Sequence, residues 1–214
     1  MLGGIDEAGR GPVIGPMVVA LVVVSDDEKL IKMGVRDSKE LSPRRRAELA
    51  RMIMRAVDFY SYEVVEPRVI DEYVSRGLLN RLEAEVMARL ISKALGMLSN
   101  GVVYVDSPDP LPDRFSELIT RLLGSGNVRV VALNNADKLI PTVSAASILA
   151  KVKRDELIAE LHRVYGDFGS GYPSDPRTME FLRDWLRRYG ELPPIVRRSW
   201  KTLSRFGHGL DDFL

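Results

Sequence analysis

Four carboxylates follow hydrophobic segments of this chain, and acids in such positions can bind metal ions. They are Asp6, Glu7, Asp106 and Asp137. Segments rich in Val and Ile predict strands, and an acid at the end of a strand lies at the edge of a sheet, where open α/β sheets bind ligands. Four acids gathered there would repel one another unless cations lay between them. Their hard oxygen atoms suit Mg²⁺ or Mn²⁺, and two such ions side by side can cleave a phosphodiester.

The elements that must position these acids predict an α/β fold. Val-rich or alternating apolar segments predict five strands, at 3–8, 15–24, 58–66, 102–106 and 128–133. Apolar spacing and capping residues predict helices at 42–56, 78–98, 112–123, 141–165 and 176–188. The order of three strands followed by α-β-α-β favours a mixed five-stranded sheet with helices packed on it.

The first two acids are adjacent, which poses a geometric problem. Neighbouring residues of a strand point to opposite faces of the sheet, so Asp6 and Glu7 converge only if the strand ends or bulges there. Gly9 and Gly11 follow closely and would permit such a distortion.

Composition sets further bounds on function. With 214 residues the chain is long enough for one sizeable core, and its net charge of +1 does not by itself indicate a nucleic-acid partner. Basic residues nevertheless cluster at 44–46 and between Arg183 and Arg205, where seven basic residues stand against two acids. Such clusters fit phosphate contacts, and a solvated helix face explains them equally well.

Several classes of chemistry are excluded by residues that the chain lacks. It contains no cysteine, which excludes disulfides, thiolate metal sites and a Cys nucleophile. Its two histidines, His162 and His208, fall in a predicted helix and in the tail, so we do not expect a histidine general base. No apolar run reaches the length of a membrane helix, and no signal pattern stands at the N-terminus. We therefore expect a cytoplasmic protein, monomeric and without membrane contact.

The acids belong to longer motifs. The chain carries Asp-Glu-Ala-Gly-Arg-Gly at 6–11, Asp-Ser-Lys at 37–39, Ala-Asp at 136–137, a small-residue segment at 144–152, and Gly-Ser-Gly-Tyr-Pro-Ser-Asp-Pro at 169–176. In this order and at these separations they closely resemble type 2 ribonuclease H (ribonuclease HII) in its archaeal form, from about Ile5 to Trp200. The resemblance implies a ribonuclease H-like fold with a helical C-terminal extension. It also implies a metal-dependent endonuclease that cuts the RNA strand of RNA–DNA hybrids and duplex DNA carrying single ribonucleotides.

The resemblance assigns roles to individual residues. Asp6, Glu7, Asp106 and Asp137 would be the catalytic metal ligands for two divalent ions, one activating water and the other stabilising the leaving 3′ oxygen. Cleavage would fall on the 5′ side of the ribonucleotide and leave a 3′-hydroxyl and a 5′-phosphate. The family's role in removing ribonucleotides and primers during replication and repair would follow.

The same resemblance suggests how ribose is recognised. The amides of Gly9, Arg10 and Gly11 would donate to the 2′-hydroxyl, which distinguishes RNA from DNA, and Tyr172 would stack on the neighbouring nucleotide. Lys39 and Arg10 are reasonable phosphate contacts. Simpler interpretations stay open, because the glycines also suit a turn between strands and a tyrosine can fill a core.

The chain departs from the family beside its last acid. The family usually has Lys two residues before this acid and Tyr just before the following Pro, whereas this chain has Asn135 and Ile140. Asp137 itself remains, so we expect a changed contact behind the ligand, with an effect on metal affinity or pH optimum.

The last residues form a separate short motif. Leu210, Phe213 and Leu214 have the spacing of a segment that docks into a sliding DNA clamp, although Gly207 replaces its usual opening glutamine. The other interpretation is a frayed tail. We divide the chain into a catalytic domain at 1–190 and a basic tail at 191–214.

Three alternatives remain at this point. A type 3 ribonuclease H would carry an additional N-terminal domain, but here the first motif starts at residue 6. A metal-dependent phosphohydrolase acting on small phosphate esters would need neither a basic tail nor Tyr172. A nucleic-acid-binding module without activity would not need the four acids.

Overall fold

Five strands form one mixed sheet in the order β3-β2-β1-β4-β5. They are β1 Leu2–Ala8, β2 Met17–Val24, β3 Phe59–Val65, β4 Val102–Asp106 and β5 Arg129–Leu133. The first three pair antiparallel, whereas β4 runs parallel to both β1 and β5. The computed structural model describes residues 1–35, 41–124 and 127–206. The mixed five-stranded sheet expected from the sequence is confirmed.

Helices connect and cover these strands. They are α1 Glu28–Lys32, α2 Pro43–Ala56, α3 Pro67–Val74, α4 Leu79–Lys93, α5 Leu95–Leu98, α6 Pro112–Leu123, α7 Ala136–Leu139, α8 Pro141–Tyr165 and α9 Pro176–Tyr189, followed by a 3₁₀ helix at Lys201–Phe206. The helix predicted at 78–98 is interrupted at Ala94, which leaves α5 as a separate turn. Three of these helices, α1, α3 and α7, were not predicted, because one or two turns show too little periodicity.

The sheet has a hydrophobic core on each face. Every residue of β2 is buried, and its side chains alternate between the two faces, which explains the uninterrupted apolar run. Val19, Leu21 and Val23 join the core on the side of α4 and α6. Val18, Ala20 and Val22 join the core beneath α2 and α8. Burying one such side chain contributes about 1.5–3 kcal/mol, so these two cores hold the sheet rigid beneath the site.

The first turn of α8 lies directly on β1. A Cβ atom added to Gly4 would stand 2.2 Å from the carbonyl carbon of Thr142, so no larger residue fits here. Ala145, Ala146 and Ala150 of α8 are fully buried in the same core. The small residues therefore permit this close approach, and they bring α8 against the strand that carries Asp6.

The C-terminal extension is helical, as expected, and it packs on a third core. This core joins the segment after β1, the loop before α9 and the last described residues: Val13, Ile14, Phe168, Leu182, Ile195, Val196 and Leu203. A single β-bridge links Ile14 to Val196. The extension therefore packs against the loop that follows β1.

Two further expectations concern a membrane helix and the residues outside the described ranges. Across the described residues, none of the helices combines the length and the apolar composition that a membrane crossing needs. Lys39 and the proposed clamp residues Leu210, Phe213 and Leu214 lie outside the described residues.

Candidate active site

Asp6 and Glu7 lie on opposite faces of an undistorted strand. The antiparallel ladder runs regularly from β1 to β2 through Asp6↔Ala20 and Glu7↔Val19 and continues to Ala8. The expectation that the strand must end or bulge at these acids is therefore wrong. The parallel ladder to β4 instead stops at Ile5↔Val105. Because β1 extends past its neighbour, both carboxylates reach the same space around the open edge of the strand.

Asp106 and Asp137 are brought together by a tight turn after β5. Asn135 adopts the left-handed conformation, with φ of 57°, and precedes α7. The backbone amide of Ala136 then donates to Asp106 Oδ1 at 2.6 Å. Asn is among the residues that tolerate positive φ, which gives a physical reason for its presence where the family usually has Lys.

All four acids line one cleft of about 590 Å³. Gly9, Arg10, Gly11 and Tyr172 line the same cleft. Apart from Lys39, which lies outside the described ranges, the residues predicted to hold metal or substrate are thus gathered around one space. Other charged residues that line it are Arg46 of α2 and Lys151, Arg154 and Asp155 of α8.

Burial dominates the electrostatics of the first two acids. Desolvation raises the pKa of Asp6 to about 7, although the Lys151 ammonium and the Ser147 hydroxyl act against it. Desolvation also raises the pKa of Glu7 well above its usual value, and the charges of Asp6 and Glu83 raise it further. Burial thus favours the protonated form of these two carboxyl groups, and a bound cation would favour their charged form instead.

The donor set fits divalent cations of the hard type, although the acids are not preassembled around one ion. Within the described ranges, no group of three His, Cys, Asp or Glu residues forms a metal-holding cluster as it stands. Asp6 Oδ1 instead accepts from the amide of Glu7 at 2.7 Å, and Asp106 Oδ1 is bound to Ala136. Glu7 Oε2 is buried and has no hydrogen-bond partner among the described residues. Such an atom is costly to bury and is suited to receive a cation.

Glu83 is a buried acid that the sequence interpretation missed. It lies on α4, fully buried, and its Oε1 pairs with Arg10 Nε at 2.8 Å. Arg10 also donates to Asn80 Oδ1 at 2.8 Å, so two of its nitrogens are held while its side chain stays 39% exposed. Burial raises the pKa of Glu83 to about 7, opposed by Arg10. The available signal was a Glu within the apolar stripe of a helix, three and four residues before Val86 and Met87.

The carbonyl groups of the Gly-Arg-Gly loop are held by the C-terminal extension. The buried Arg197 donates to the carbonyl oxygens of Gly9 at 2.6 Å and Arg10 at 3.0 Å. Trp200 Nε1 donates to the carbonyl of Gly11 at 3.0 Å. Because N–H and C=O of a trans peptide point in opposite directions, the amides of Arg10 and Gly11 are turned away from this extension. Arg197 is thus a loop anchor and adds nothing to the basic surface that its cluster in the sequence suggested.

Gly9 occupies a position that only glycine suits. Its φ is +84°, and an added Cβ would stand 2.2 Å from Arg154 Nε. Tyr172 is 39% exposed, its ring lies beside Gly11, and the Arg154 guanidinium is 5.7 Å from its ring centre. This exposure argues against the interpretation that Tyr172 fills a core.

Comparison with known proteins gives consistent matches. The family model described as Ribonuclease HII matches residues 3–203. A curated Ribonuclease HII of Thermofilum pendens is 54% identical over 208 residues, which cover 94% of this chain and 97% of that protein. The solved PCNA:RNase HII complex from Archaeoglobus fulgidus contains a chain with a TM-score of 0.86 and 45% identity, with full coverage of both chains. A solved Bst-RNase HIII in complex with Mn²⁺ has a TM-score of 0.75 and 23% identity, covering 95% of this chain and 68% of that one, a likeness of fold alone.

Proposed function

The chain belongs to the ribonuclease HII family, and we propose that Asp6, Glu7, Asp106 and Asp137 are its catalytic metal ligands. It is an endonuclease of the ribonuclease H type, which cleaves the RNA strand of RNA–DNA hybrids with the help of divalent metal. The observation that carries the assignment is the meeting of four acids from three separate segments in one cleft. The buried and unpartnered Glu7 Oε2 supports it.

We propose two divalent ions, Mg²⁺ or Mn²⁺, as the cofactors of this site. Held by these four acids, such ions would supply an activated water and charge stabilisation for the leaving 3′ oxygen. The solved Bst-RNase HIII was in complex with Mn²⁺, which agrees with this choice. The chain's own contribution is to hold the acids, with Ala136 orienting Asp106 and with Lys151 and Ser147 beside Asp6.

The loop Gly9-Arg10-Gly11 is proposed to read the 2′-hydroxyl. Its carbonyls are bound by Arg197 and Trp200, which leaves amide donors turned away from them. Tyr172 would stack on the nucleotide beside the ribose. Arg10 acts mainly by stabilising the loop through Glu83, and Lys39 keeps its predicted role as a phosphate contact.

We also propose the substrate and the products of the reaction. A single ribonucleotide within duplex DNA would be enough for recognition, and cleavage on its 5′ side would leave a 3′-hydroxyl and a 5′-phosphate. This chemistry serves ribonucleotide removal and primer removal during replication and repair.

We also propose a sliding clamp as a partner, bound through Leu210, Phe213 and Leu214. The solved Archaeoglobus fulgidus protein was in complex with PCNA, which supports this partner. The cytoplasmic location, the monomeric state and the boundary between 1–190 and 191–214 stay predictions.

One cleavage assay tests the function. The substrate is duplex DNA with one embedded ribonucleotide, with all-DNA duplex as the matched control, each with Mg²⁺ or with EDTA. We expect one cut, on the 5′ side, with Mg²⁺ only, and no cut by Asp106→Asn. Hydrolysis of small phosphate esters alone would favour the general phosphohydrolase, and binding without cleavage would favour the inactive module.

A further inference from the structure

A second and larger groove adjoins the catalytic cleft. It encloses about 830 Å³ and lies between the start of α4, the outer side of α6 and residues 199–202. Arg10 and Gly11 line both this groove and the catalytic cleft. A polymer that enters the cleft can therefore continue into the groove without leaving the protein surface.

The lining of the groove is basic. It contains five basic residues, Arg10, Arg81, Arg114, Arg121 and Lys201, and one acid, Asp109. Two further acids, Glu83 and Glu85, pair with Arg10 and Arg81 from behind. The lining therefore carries more basic than acidic side chains, whereas the whole chain is nearly balanced, with a net charge of +1.

A hydrogen-bonded chain of side chains joins the two cavities. Arg10 donates to Asn80, Asn80 donates to Asp109 Oδ2 at 3.3 Å, and Arg114 donates to the same oxygen at 2.6 Å. These hydrogen bonds hold Arg114 in the wall of the groove and leave part of its guanidinium available for an anion. Arg121 is exposed one turn from the end of α6, and its Nε contacts only weakly the carbonyl of Glu117 at 3.4 Å.

The lining also contains apolar side chains beside the polar Asn80, Ser199 and Thr202. Leu78, Phe115, Leu118 and Trp200 are among the apolar ones. The indole of Trp200 is fixed at the junction of the two cavities by its bond to Gly11. Apolar surface edged by arginines suits a nucleic-acid backbone, which presents sugars between its phosphates.

We propose that this groove binds the phosphates of the duplex that flanks the cleavage site, on the side where the strand leaves the cleft past Gly11. The proposal rests on the proposed function and extends the binding of substrate beyond the ribonucleotide. Charge favours this occupant over an apolar helix, and continuity with the cleft favours it over an unrelated small anion.

The test compares Arg121→Gln and the double variant Arg81→Gln/Arg121→Gln with Arg163→Gln. Arg163 is a matched control, because it is also exposed near the end of a helix, α8, and its Nε contacts the carbonyl of Ala159 at 3.4 Å. The substrates are a long duplex with one central ribonucleotide and a short one that ends close to it. The measurements are KM and kcat, and the dependence of duplex affinity on salt, taken by fluorescence anisotropy in EDTA.

We expect the double variant to raise KM at least fivefold on the long duplex and distinctly less on the short one. The slope of log affinity against log salt should fall by about 0.9 for each phosphate that the variant no longer neutralises. Arg163→Gln should change neither quantity. Equal effects on both duplexes, or an unchanged salt slope, would overturn the proposal.

The two proposals fail in different ways. If the unaltered protein does not cut the embedded ribonucleotide, the proposed function fails, yet anisotropy without metal still reports whether the groove binds duplex. If cleavage is normal and substitution of Arg81 and Arg121 leaves the salt dependence of duplex affinity unchanged, the groove is not a phosphate site. Residues 207–214 could instead occupy the groove as an acidic tail. Their removal would then tighten duplex binding, and this gain would be absent in Arg121→Gln. That result would also overturn the proposal.

Discussion

The guanidinium of Arg197 donates to the carbonyl oxygen of Gly9 at 2.6 Å, across 188 residues of sequence. The same group binds the carbonyls of Arg10 and Gly15, at 3.0 and 2.9 Å. A charged donor that satisfies three carbonyls in a buried position fixes them strongly. The shape of the loop proposed to read ribose is therefore determined by the C-terminal extension, and this can be tested.

Trp200→Phe should loosen the loop while keeping an aromatic ring in place. Without the indole donor, the carbonyl of Gly11 has no partner from this side chain, which should cost about 0.5–1.5 kcal/mol of stability. We expect kcat/KM to fall more on a single embedded ribonucleotide than on a continuous hybrid, because the former depends on one 2′-hydroxyl. Equal falls on the two substrates would mean that Trp200 supports the fold alone.

Asp6→Asn should abolish cleavage and stabilise the metal-free protein. The folded-state pKa of Asp6 is raised to about 7, so its ionisation opposes folding. The unfolding free energy of the metal-free protein is therefore high at low pH and falls as the pH rises through about 7. A tenfold change in the acid dissociation constant of Asp6 corresponds to about 1.4 kcal/mol of this free energy. The gain on substitution should therefore be larger at pH 8 than at pH 5.

Urea unfolding in EDTA at these two pH values measures the effect. Asp106→Asn should likewise be inactive yet folded. Loss of stability at pH 8 on substitution of Asp6 would instead give that residue a structural role.

Arg10→Ala should destabilise the protein through Glu83. The carboxylate of Glu83 is fully buried, and removing its partner leaves an uncompensated charge that costs about 3–5 kcal/mol when it stays ionised. Protonation limits this cost at low pH, so the loss of stability should grow above pH 7. The second substitution Glu83→Gln should recover much of it in thermal unfolding at pH 8. If Arg10→Ala leaves stability unchanged and raises only KM, Arg10 binds phosphate and does not brace the loop.

Tyr172→Ala should weaken the recognition of isolated ribonucleotides. Loss of one base–aromatic stack is worth about 1–3 kcal/mol, or roughly a 5- to 150-fold fall in kcat/KM. Tyr172→Phe is the matched control and should retain most activity, since stacking needs only the ring. A fall of the same size for Tyr172→Phe would point to the hydroxyl instead.

Removal of residues 207–214 should abolish clamp binding. Leu210, Phe213 and Leu214 would otherwise fill an apolar pocket of the clamp, with affinity reduced by Gly207 in place of glutamine. Cleavage of free oligonucleotides should proceed at the rate of the full chain. Calorimetric titration of the host's clamp into the full-length protein measures the binding, and absence of heat and of co-elution would contradict the prediction.

Local pattern was enough to predict the strands and the acids at their ends. The run at 102–106 and the helix at 112–123 appear in the structure with the predicted bounds, because their periodicity and capping are encoded within the segment. The four acids line one cleft because parallel strands end at a common edge, a rule that needs no tertiary detail.

Features that depend on distant contacts were not predictable in the same way. Nothing near Glu83 shows that Arg10 will face it, and nothing near Arg197 shows that it will be buried under Gly9. The meeting of Asp6 and Glu7 in one cleft depends on where the parallel pairing of β1 with β4 ends. That point is a property of the assembled sheet. Patterns in one sequence describe a segment, whereas these arrangements belong to pairs of segments.

The bridge between Ile14 and Val196 has a consequence for synthesis in the cell. The ribosome makes the loop after β1 long before its anchors Arg197 and Trp200, which bind carbonyls 188 and 189 residues earlier in the chain. A nascent chain can assemble the sheet and its acids first, but the loop acquires these carbonyl partners only after Trp200 has been made. The order of synthesis thus places the fixing of the loop proposed to read ribose after the gathering of the acids.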